Sequence, residues 1–227
     1  MKFYLPTMDG KTEFPPIEEA LNEPNGLLAF GGDLQPETLV KAYSQGIFPW
    51  FSEQEPILWW SPNPRMVLFP DKFHISKSFK KAIRKTHYTV YLDRDFKGVI
   101  NHCAQSRKDG LGTWITDEMK QAYIWLHEKG VAHCLEIDIN AELVGGIYGI
   151  ALENIFYGES MFSLQNNGSK FALYELCQYL IKHNYHILDC QAHSNHLESL
   201  GAELISIQKF KEYLPKNCDL GQFLGNT

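Results

Sequence analysis

The sequence has no apolar run long enough to cross a bilayer. Its uncharged apolar stretches, such as Ile147–Leu152, are far shorter than the roughly 20 residues that a spanning helix needs. The first residues, Met1–Pro6, lack the long apolar region and the small-residue cleavage site of a signal peptide. These absences exclude a transmembrane helix, and we expect neither export nor a membrane partner.

Cysteine is also scarce: the sequence has five, an odd number, and no Cys-x-x-Cys pair. This usage disfavours a disulfide scaffold and fits the reducing cytoplasm. Cys190, His193 and His196 lie close together in sequence, but a fourth ligand is not nearby, so we expect no metal. The cysteines are Cys103, Cys134, Cys177, Cys190 and Cys218.

The composition that remains is that of an ordinary globular protein. Of the 227 residues, 44% are apolar and 21% are charged, which excludes disorder as the main state. The net charge of −6 argues against a broadly basic nucleic-acid-binding surface. Residues 71–85 nevertheless carry six basic side chains against one acid, on a segment that is either a solvated helix surface or a phosphate-contacting patch. The basic residues are Lys72, Lys77, Lys80, Lys81, Arg84 and Lys85.

The first 65 residues differ from the rest of the chain. They hold nine of the eleven prolines, and proline at this density disfavours long helices and central strands. We expect a small irregular domain over residues 1–65, with one short helix, Pro36–Gln45, that ends at Gly46.

Residues 66–227 alternate between strand and helix patterns, which predicts an α+β domain of mixed α/β type. An antiparallel meander with a turn at Glu153-Asn154 precedes a long helix and a further strand. Thr116 is a plausible helix cap. The predicted strands are Met66–Phe69, Thr89–Leu92, His133–Ile139, Leu143–Leu152, Asn154–Tyr157 and His186–Cys190. The predicted helices are Ser76–Lys85, Phe96–Gln105, Asp117–Glu128, Ser169–His183 and Ser194–Leu200.

Asp189-Cys190-Gln191 stands at the end of a predicted strand. Alternation places Asp189 and Gln191 on one face of that strand and Cys190 on the other. A carboxylate beside an amide can orient a nucleophile and an electrophilic carbonyl. The alternative is an edge-strand aspartate that makes turn hydrogen bonds.

Two other segments suggest different chemistry. Gly158-Glu159-Ser160 contains a candidate serine nucleophile, but Phe162 replaces the second glycine of a nucleophile elbow. Gln165–Lys170, before the long helix, partly resembles the loop with which acetyltransferases bind a pyrophosphate on helix amides, although Lys170 stands where a small residue is needed. A small-molecule acetyltransferase is therefore the alternative enzyme.

Trp50 and Trp114 both lie next to predicted loops. Tryptophan is more often a core residue than a binding platform, but at a loop its ring can stack on a nucleobase. The sequence pattern leaves both interpretations open.

Taken together and in order, eight segments resemble the signatures of leucyl/phenylalanyl-tRNA–protein transferases. The resemblance covers about residues 4–213, and so many long motifs in register are highly specific. The segments are Gly26–Leu34, Gln45–Phe51, Trp59–Arg65, Phe73–Ser76, Thr113–Thr116, Gly158–Ser163, Asp189–Gln191 and Ser199–Ala202.

The resemblance implies a bacterial cytoplasmic enzyme with a small amino-terminal domain and an acetyltransferase-like domain. It implies transfer of leucine or phenylalanine from its tRNA to a protein beginning with Arg or Lys, which then enters N-degron degradation. Because an ester becomes an amide, the reaction needs no ATP, metal or other cofactor. Nothing in the sequence demands an oligomer, so we expect a monomer.

The resemblance also implies roles for individual residues. Asp189 and Gln191 would position and activate the acceptor amine, with Asp189 as base or electrostatic orienter, and Glu159 would hold the acceptor's cationic terminus or the ribose end. Trp50 and Trp114 would sandwich or edge the terminal adenine. The expected side-chain pocket is Ile147, Phe156, Leu173 and Leu188, and the expected acceptor-stem contacts are Lys77, Lys80, Lys81, Arg84 and Lys85.

Two places depart from the family pattern. Leu164 stands where many members carry arginine, and Ile207 and Gln208 stand where a basic residue is common. Both departures put extra phosphate contacts in doubt. A binding module that kept the motifs and lost catalysis is the non-enzyme alternative, and the intact Asp189, Gln191 and Glu159 argue against it.

Overall fold

The computed structural model describes residues 5–11, 13–105 and 114–216, so Thr113 and Cys218 lie outside the described residues. The amino-terminal region contains, beside its irregular segments, three short strands that the sequence did not predict. They form an antiparallel sheet in the order β1-β3-β2. The helix α1 (Pro36–Ser44) has proline in its first turn and ends before Gly46, whose φ is +77°. The strands are β1 (Leu27–Phe30), β2 (Phe48–Pro49) and β3 (Leu58–Trp60).

A seven-stranded sheet forms the rest of the molecule, in the order β10-β4-β9-β8-β7-β6-β5. All neighbouring strands are antiparallel except β8 and β9, which are parallel and are therefore joined by a crossover helix, α5. The strands are β4 (Arg65–Leu68), β5 (Thr89–Leu92), β6 (Ala132–Ile139), β7 (Glu142–Leu152), β8 (Ile155–Ser163), β9 (Ile187–Gln191) and β10 (Glu203–Ile205).

The helices follow the predicted pattern closely. Thr116 caps α4 by accepting a hydrogen bond from the Met119 N–H, and Ser76 caps α2 by accepting one from the Phe79 N–H. The helices are α2 (Lys77–Lys85), α3 (Phe96–Gln105), α4 (Asp117–Glu128), α5 (Gly168–Lys182), α6 (Asn195–Ser199) and α7 (Ile207–Lys211).

Beyond the three amino-terminal strands, the structure differs from the sequence prediction at three further elements. Strand β8 continues to Ser163, whereas the predicted strand ends at Tyr157. Strand β10 and helix α7 were not predicted, because each is short. Strand β10 pairs with β4 and so lies at one edge of the sheet.

Two apolar clusters cover the two faces of this sheet. Alternation along β8 and β9 places Tyr157 and Ile187 in the first cluster, and Phe156 and Leu188 in the second. The first cluster also takes in Trp59 and other residues of the amino-terminal region, so this core is continuous across residue 65. Division of the chain at that residue stays a prediction.

Candidate functional site

A cavity opens where the two parallel strands part. Strands β8 and β9 pair as far as Tyr157 and Asp189 and no further. Immediately afterwards β8 contains a bulge, since Gly158 and Ser160 pair with consecutive residues of β7 and Glu159 is the extra residue between them. A bulge redirects the side chain it carries. Glu159 is thereby directed into the space between the strands.

The main cavity has a volume of about 350 Å³. Its walls come from the amino-terminal region, from Trp114 in the segment that leads into α4, from strands β7, β8 and β9, and from helices α5 and α6. The cavity-lining residues are Phe48, Pro49, Trp50, Trp114, Ile147, Gly158, Glu159, Ser160, Met161, Leu173, Leu188, Cys190, Gln191, Ala192, Ser194 and Leu197.

A buried hydrogen-bonded group, which we call the polar wall, closes one side of this cavity. The Glu159 carboxylate accepts hydrogen bonds from the Tyr43 hydroxyl at 2.7 Å and the Tyr123 hydroxyl at 2.9 Å. The Gln191 amide donates to the same carboxylate at 2.8 Å. The two tyrosine hydroxyls also contact each other. The polar wall therefore fixes the direction of Glu159 and Gln191 before any ligand binds.

The polar wall favours a proton on Glu159. Burial raises the pKa of this carboxyl to about 7, although the hydrogen bonds from Tyr43, Tyr123 and Gln191 act in the opposite direction. Burial also raises the pKa of both tyrosines, so each keeps its proton. Each of the three contacts among Tyr43, Tyr123 and Glu159 needs one proton to be a hydrogen bond. The two tyrosine hydroxyls supply two protons, and the third is present only when the carboxyl is protonated. Glu159 can thus gain or lose a proton near neutral pH.

Asp189 lies beside the cavity rather than in it. Its side chain is fully buried and forms a bidentate ion pair with Arg65, in which Nε donates to Oδ1 at 2.8 Å and Nη2 to Oδ2 at 2.6 Å. The Arg65 guanidinium lies between the rings of Phe48 and Phe210, 4.9 and 4.6 Å from their centroids. Unlike Glu159, the Asp189 side chain does not line the main cavity, so the arrangement favours a supporting role over direct contact with a substrate amine.

Asp189 instead contacts the residue that lines the cavity. Its Oδ1 accepts a hydrogen bond from the Gln191 backbone N–H at 2.9 Å. Gln191 has a φ of +65°, a left-handed conformation that is strained for a residue with a side chain. The Asp189 carboxylate stabilises this backbone, and the Gln191 side chain reaches Glu159 as a result.

The two predicted tryptophans both line the main cavity. Trp50 follows β2, and 45% of its surface is exposed. Trp114 precedes the cap of α4 and is half-buried. Their rings bring a flat apolar surface to the polar wall, and flat rings of this kind are platforms for nucleobases.

Three of the four predicted pocket residues, Ile147, Leu173 and Leu188, line the main cavity. Phe156 does not line it, so its place in a side-chain pocket stays a prediction. Its ring covers Gly149, where an added Cβ would come within 2.5 Å of the ring. Phe156 thereby lines a separate small cavity of about 90 Å³ beside β5.

The five cations predicted to contact tRNA share one exposed surface of α2, which we call the basic face. They line a shallow depression of about 340 Å³. Among the described residues none of the five forms a recorded ion pair, whereas Lys72, just before α2, pairs with Glu203 at 2.8 Å. The basic face consists of Lys77, Lys80, Lys81, Arg84 and Lys85. Phe79 anchors it by packing its ring against Phe171 of α5.

The acetyltransferase-like loop is packed against the sheet. Asn167 caps α5 in a left-handed conformation, with φ +67°, and the next residue lies so close to β7 that a Cβ on Gly168 would come within 2.0 Å of the Val144 carbonyl oxygen. The Ser163 hydroxyl already accepts a hydrogen bond from the Ser169 N–H. Residues 165–170 do not line the main cavity.

The family departures differ in exposure. Leu164 is 51% exposed, whereas Ile207 is buried in the first core cluster at the start of α7.

Within the described part of the chain, no group of three or more His, Cys, Asp or Glu side chains has the proximity for a metal site. In the same residues, no helix combines the length and hydropathy needed to cross a membrane.

Sequence reasoning missed Tyr43, Tyr123 and Arg65. The first two come from α1 and α4, and Arg65 from β4, so each is distant in sequence from the residue it contacts. Tyr43 and Tyr123 have the spacing of ordinary apolar helix positions, and that pattern cannot tell a ligand-facing hydroxyl from a core ring. Arg65 ends Trp59–Arg65, one of the eight segments that carry the family resemblance. That position was the one indication in the sequence that Arg65 is important.

Comparison with known proteins gives a consistent result. A family model described as "Leucyl/phenylalanyl-tRNA protein transferase" matches residues 67–215, and the model of that family's N-terminal domain matches residues 32–63. A leucyl/phenylalanyl-tRNA–protein transferase from Pseudomonas fluorescens (strain Pf0-1) is 52% identical over 91% of both chains. One from Nitrosomonas eutropha is 51% identical over 94% of this chain and 91% of the relative.

Solved structures of similar shape are more distant. The structure described as FemX has a TM-score of 0.48 at 12% identity and covers 75% of this chain and 66% of its own. A ribosomal-protein-alanine N-acetyltransferase from Brucella melitensis has a TM-score of 0.36 at 14% identity, over 59% of this chain and 93% of its own. Likenesses this distant assign no activity.

Proposed function

The chain belongs to the leucyl/phenylalanyl-tRNA–protein transferase family, and we propose that it transfers leucine or phenylalanine from aminoacyl-tRNA to a protein whose first residue is Arg or Lys. One observation carries the proposal at the level of the site. A single cavity combines an apolar end, two tryptophan rings and a carboxylate–amide pair. These are the surfaces that an aminoacyl ester of adenosine requires.

The donor fits the cavity in one orientation. The leucyl or phenylalanyl side chain lies against Ile147, Leu173 and Leu188, which we call the acyl pocket. The terminal adenine stacks on Trp50 and Trp114. The ester between them then lies at the polar wall. An apolar pocket discriminates size weakly, by about 1–3 kcal/mol per methylene, so one pocket can accept both amino acids.

Glu159 and Gln191 act on the reacting groups. The acceptor amine, with an ordinary pKa of about 7.7–8.0, must lose a proton as it attacks the ester carbonyl. Glu159 takes that proton, since it faces the cavity and its pKa of about 7 matches the task. The Gln191 amide has a second N–H that can bind the ester oxygen as negative charge develops there. The bond between the ester carbonyl carbon and the ribose O3′ then breaks. The proton held by Glu159 passes to O3′, and the adenosine leaves with a free 3′-hydroxyl.

Asp189 is a positioning residue in this proposal. Its charge is compensated by Arg65, and its Oδ1 holds the Gln191 backbone in the conformation that aims the amide at Glu159. Both oxygens of the Asp189 carboxylate contact Arg65, and the Asp189 side chain does not line the main cavity. The proton therefore goes to Glu159, and Asp189 keeps Gln191 in place.

The basic face of α2 binds the tRNA. Its five cations are exposed and form no recorded ion pair within the described residues, so their charge is available to phosphates. The acidic remainder of the chain suits an acceptor led by Lys or Arg. In the cell the product enters N-degron degradation, in the cytoplasm, and the enzyme acts as a monomer.

The direct experiment mixes the protein with labelled Leu-tRNA and two peptides that differ only in a first residue of Lys or Ala. We expect label to move to the Lys peptide in an RNase-sensitive reaction and not to the Ala peptide. The absence of RNase-sensitive transfer would overturn the proposal. Inhibition of the transfer by uncharged tRNA would confirm that the enzyme binds the tRNA part of the donor.

A small-molecule acetyltransferase is the second candidate, and the loop at residues 165–170 argues against it. The pyrophosphate of acetyl-CoA would need free amides at the start of α5, where Ser163 already binds the Ser169 amide. Saturable binding of acetyl-CoA would reverse this conclusion. A binding module without activity would instead bind Leu-tRNA and leave the label on it.

A further inference from the structure

A second cavity, which we call the Trp60 cavity, adjoins the main cavity. Its volume is about 370 Å³. It shares Phe48, Trp50 and Ala192 with the main cavity, so the two are neighbours. The remaining walls come from apolar residues of the amino-terminal region, from Leu204 of β10, and from two polar side chains. The apolar residues are Trp60, Pro62 and Pro64, and the polar side chains are Asn25 and His193.

We propose that the Trp60 cavity binds the nucleobase of the nucleotide that precedes the terminal adenosine. The inference rests on the proposed function, because it requires the terminal adenosine to occupy the main cavity. In every tRNA that preceding nucleotide is a cytidine. Its base is the nearest flat ring once the adenine is on Trp50.

The walls of this cavity suit a neutral, flat ring. The Trp50 and Trp60 rings have centroids 5.5 Å apart and an interplanar angle of 59°, and so form an aromatic corner. The Trp60 indole N–H donates to the Trp50 carbonyl oxygen at 2.7 Å, which holds that corner in place. Pro62 and Leu204 supply further apolar surface. Stacking on such surfaces tolerates any base and strengthens binding of single-stranded nucleic acid.

Two polar groups can bind the edge of the base. Asn25 uses its side-chain oxygen to accept from the Asn63 N–H at 3.2 Å, which leaves its NH₂ group to donate. His193 contacts Glu198 through Nε2 at 3.3 Å, and its Nδ1 has no recorded partner among the described residues. The Asn25 NH₂ group can donate to the ring nitrogen or carbonyl oxygen of cytosine. Because the Nε2–H of His193 donates to Glu198, its Nδ1 can accept from the cytosine amino group.

The same walls disfavour the other candidate occupant, the cationic side chain of the acceptor's first residue. None of the described residues that line the Trp60 cavity is a carboxylate. A cation there would have no counter-ion among these lining residues, whereas a neutral base needs none.

The test measures binding of three non-hydrolysable donors that carry leucine in amide linkage to 3′-amino-3′-deoxyadenosine. The first is the adenosine alone, the second has cytidine linked to its 5′ side, and the third has an abasic ribose phosphate in place of the cytidine. The abasic donor separates the contribution of the base from that of the phosphate. In the unmodified protein we expect the cytosine to tighten binding about tenfold over the abasic donor.

Two variants test whether the Trp60 cavity causes this gain in affinity. Trp60→Leu removes one wall, and the double variant Leu204→Ala with His193→Ala removes exposed groups that do not line the main cavity. We expect each to reduce the gain to less than threefold. Ile181→Ala is the matched control, because Ile181 is 44% exposed, close to the 46% of Leu204, and lines none of these cavities. If Trp60→Leu also weakens binding of the donor that has adenosine alone, the substitution has displaced Trp50. The cytosine gain measured in the double variant is then the deciding result.

A gain of less than twofold in the unmodified protein would overturn the inference, as would a gain that survives in the double variant. Loss of affinity for a Lys-led peptide in the double variant, with the cytosine gain intact, would assign the cavity to the acceptor. These are binding measurements, so they stand apart from the transfer assay. Transfer from Leu-tRNA without a cytosine gain would sink this inference and leave the proposed function in place.

Discussion

The polar wall and the basic face of α2 carry charge in opposite ways. The polar wall is buried, and each of its groups has a hydrogen-bond partner before a ligand arrives. The basic face is exposed, and within the described residues its cations form no recorded ion pair. Buried, pre-oriented groups act strongly at short range and are insensitive to salt, while exposed charges act at long range and are screened. We therefore expect the polar wall to govern the chemical step and the basic face to govern tRNA affinity.

The largest expected effect on stability concerns the support of the polar wall. Asp189→Ala leaves the Arg65 guanidinium buried without its partner, which we expect to lower the free energy of unfolding by about 3–5 kcal/mol. The double variant Arg65→Met with Asp189→Ala removes both charges and should recover part of that loss. Denaturation by urea measures both. Equal stability of the two variants would show that the buried charge is not the cause.

The double variant also tests the assignment of Asp189. It still lacks the carboxylate that holds Gln191, so we expect stability to return while turnover stays low. Recovery of both together would mean that Asp189 acts only through folding.

A somewhat smaller effect is expected from pH. Because the folded pKa of Glu159 is raised to about 7, the folded state holds more protons than the unfolded state from about pH 4.5 to pH 7, and stability falls as pH rises through that window. The shift corresponds to about 3 kcal/mol, so Glu159→Gln should gain stability over the unmodified protein at pH 8 but not at pH 4. Thermal unfolding at the two pH values measures this. A constant difference between the proteins would contradict the buried, proton-holding carboxyl.

The basic face should show a smaller effect that depends on salt. Changing Lys77, Lys81 and Arg84 to Gln should weaken tRNA binding and reduce the slope of log affinity against log salt by about one per lost phosphate contact. Changing Lys11, Lys97 and Lys182 to Gln alters net charge equally and serves as the control. An unchanged slope in the first variant, or an equal change in the control, would reduce the basic face to a solvated surface.

The smallest effect concerns the helix that carries the basic face. Ser76→Ala removes the hydrogen bond to the Phe79 N–H at 3.2 Å, and we expect a loss of about 1 kcal/mol in unfolding free energy. Turnover at saturating tRNA should not change. A loss of turnover would show that α2 is coupled to the polar wall.

The sequence predicted what is local and missed what the fold brings together. Helices such as α2 and α4 were predicted almost to the residue because caps and apolar periodicity are written into neighbouring positions. The family motifs identified Glu159, Gln191 and the two tryptophans as a group. They could not show that Asp189 is paired with Arg65, because that depends on the antiparallel register of β4 against β9. Nor could they show the bulge that directs Glu159, or that Phe156 covers Gly149 outside the main cavity.

The contrast between the polar wall and the basic face is tested most directly by single-turnover transfer from Leu-tRNA to a Lys-led peptide. The enzyme is in large excess and at saturating concentration. Glu159→Gln should lower the rate of the chemical step by about 10²–10⁴-fold while tRNA affinity stays within twofold. The variant with Gln at positions 77, 81 and 84 should transfer at the unmodified rate once saturated. The reverse pattern, with a normal rate for Glu159→Gln and a slow step for the α2 variant, would contradict the assignment of chemistry to the polar wall.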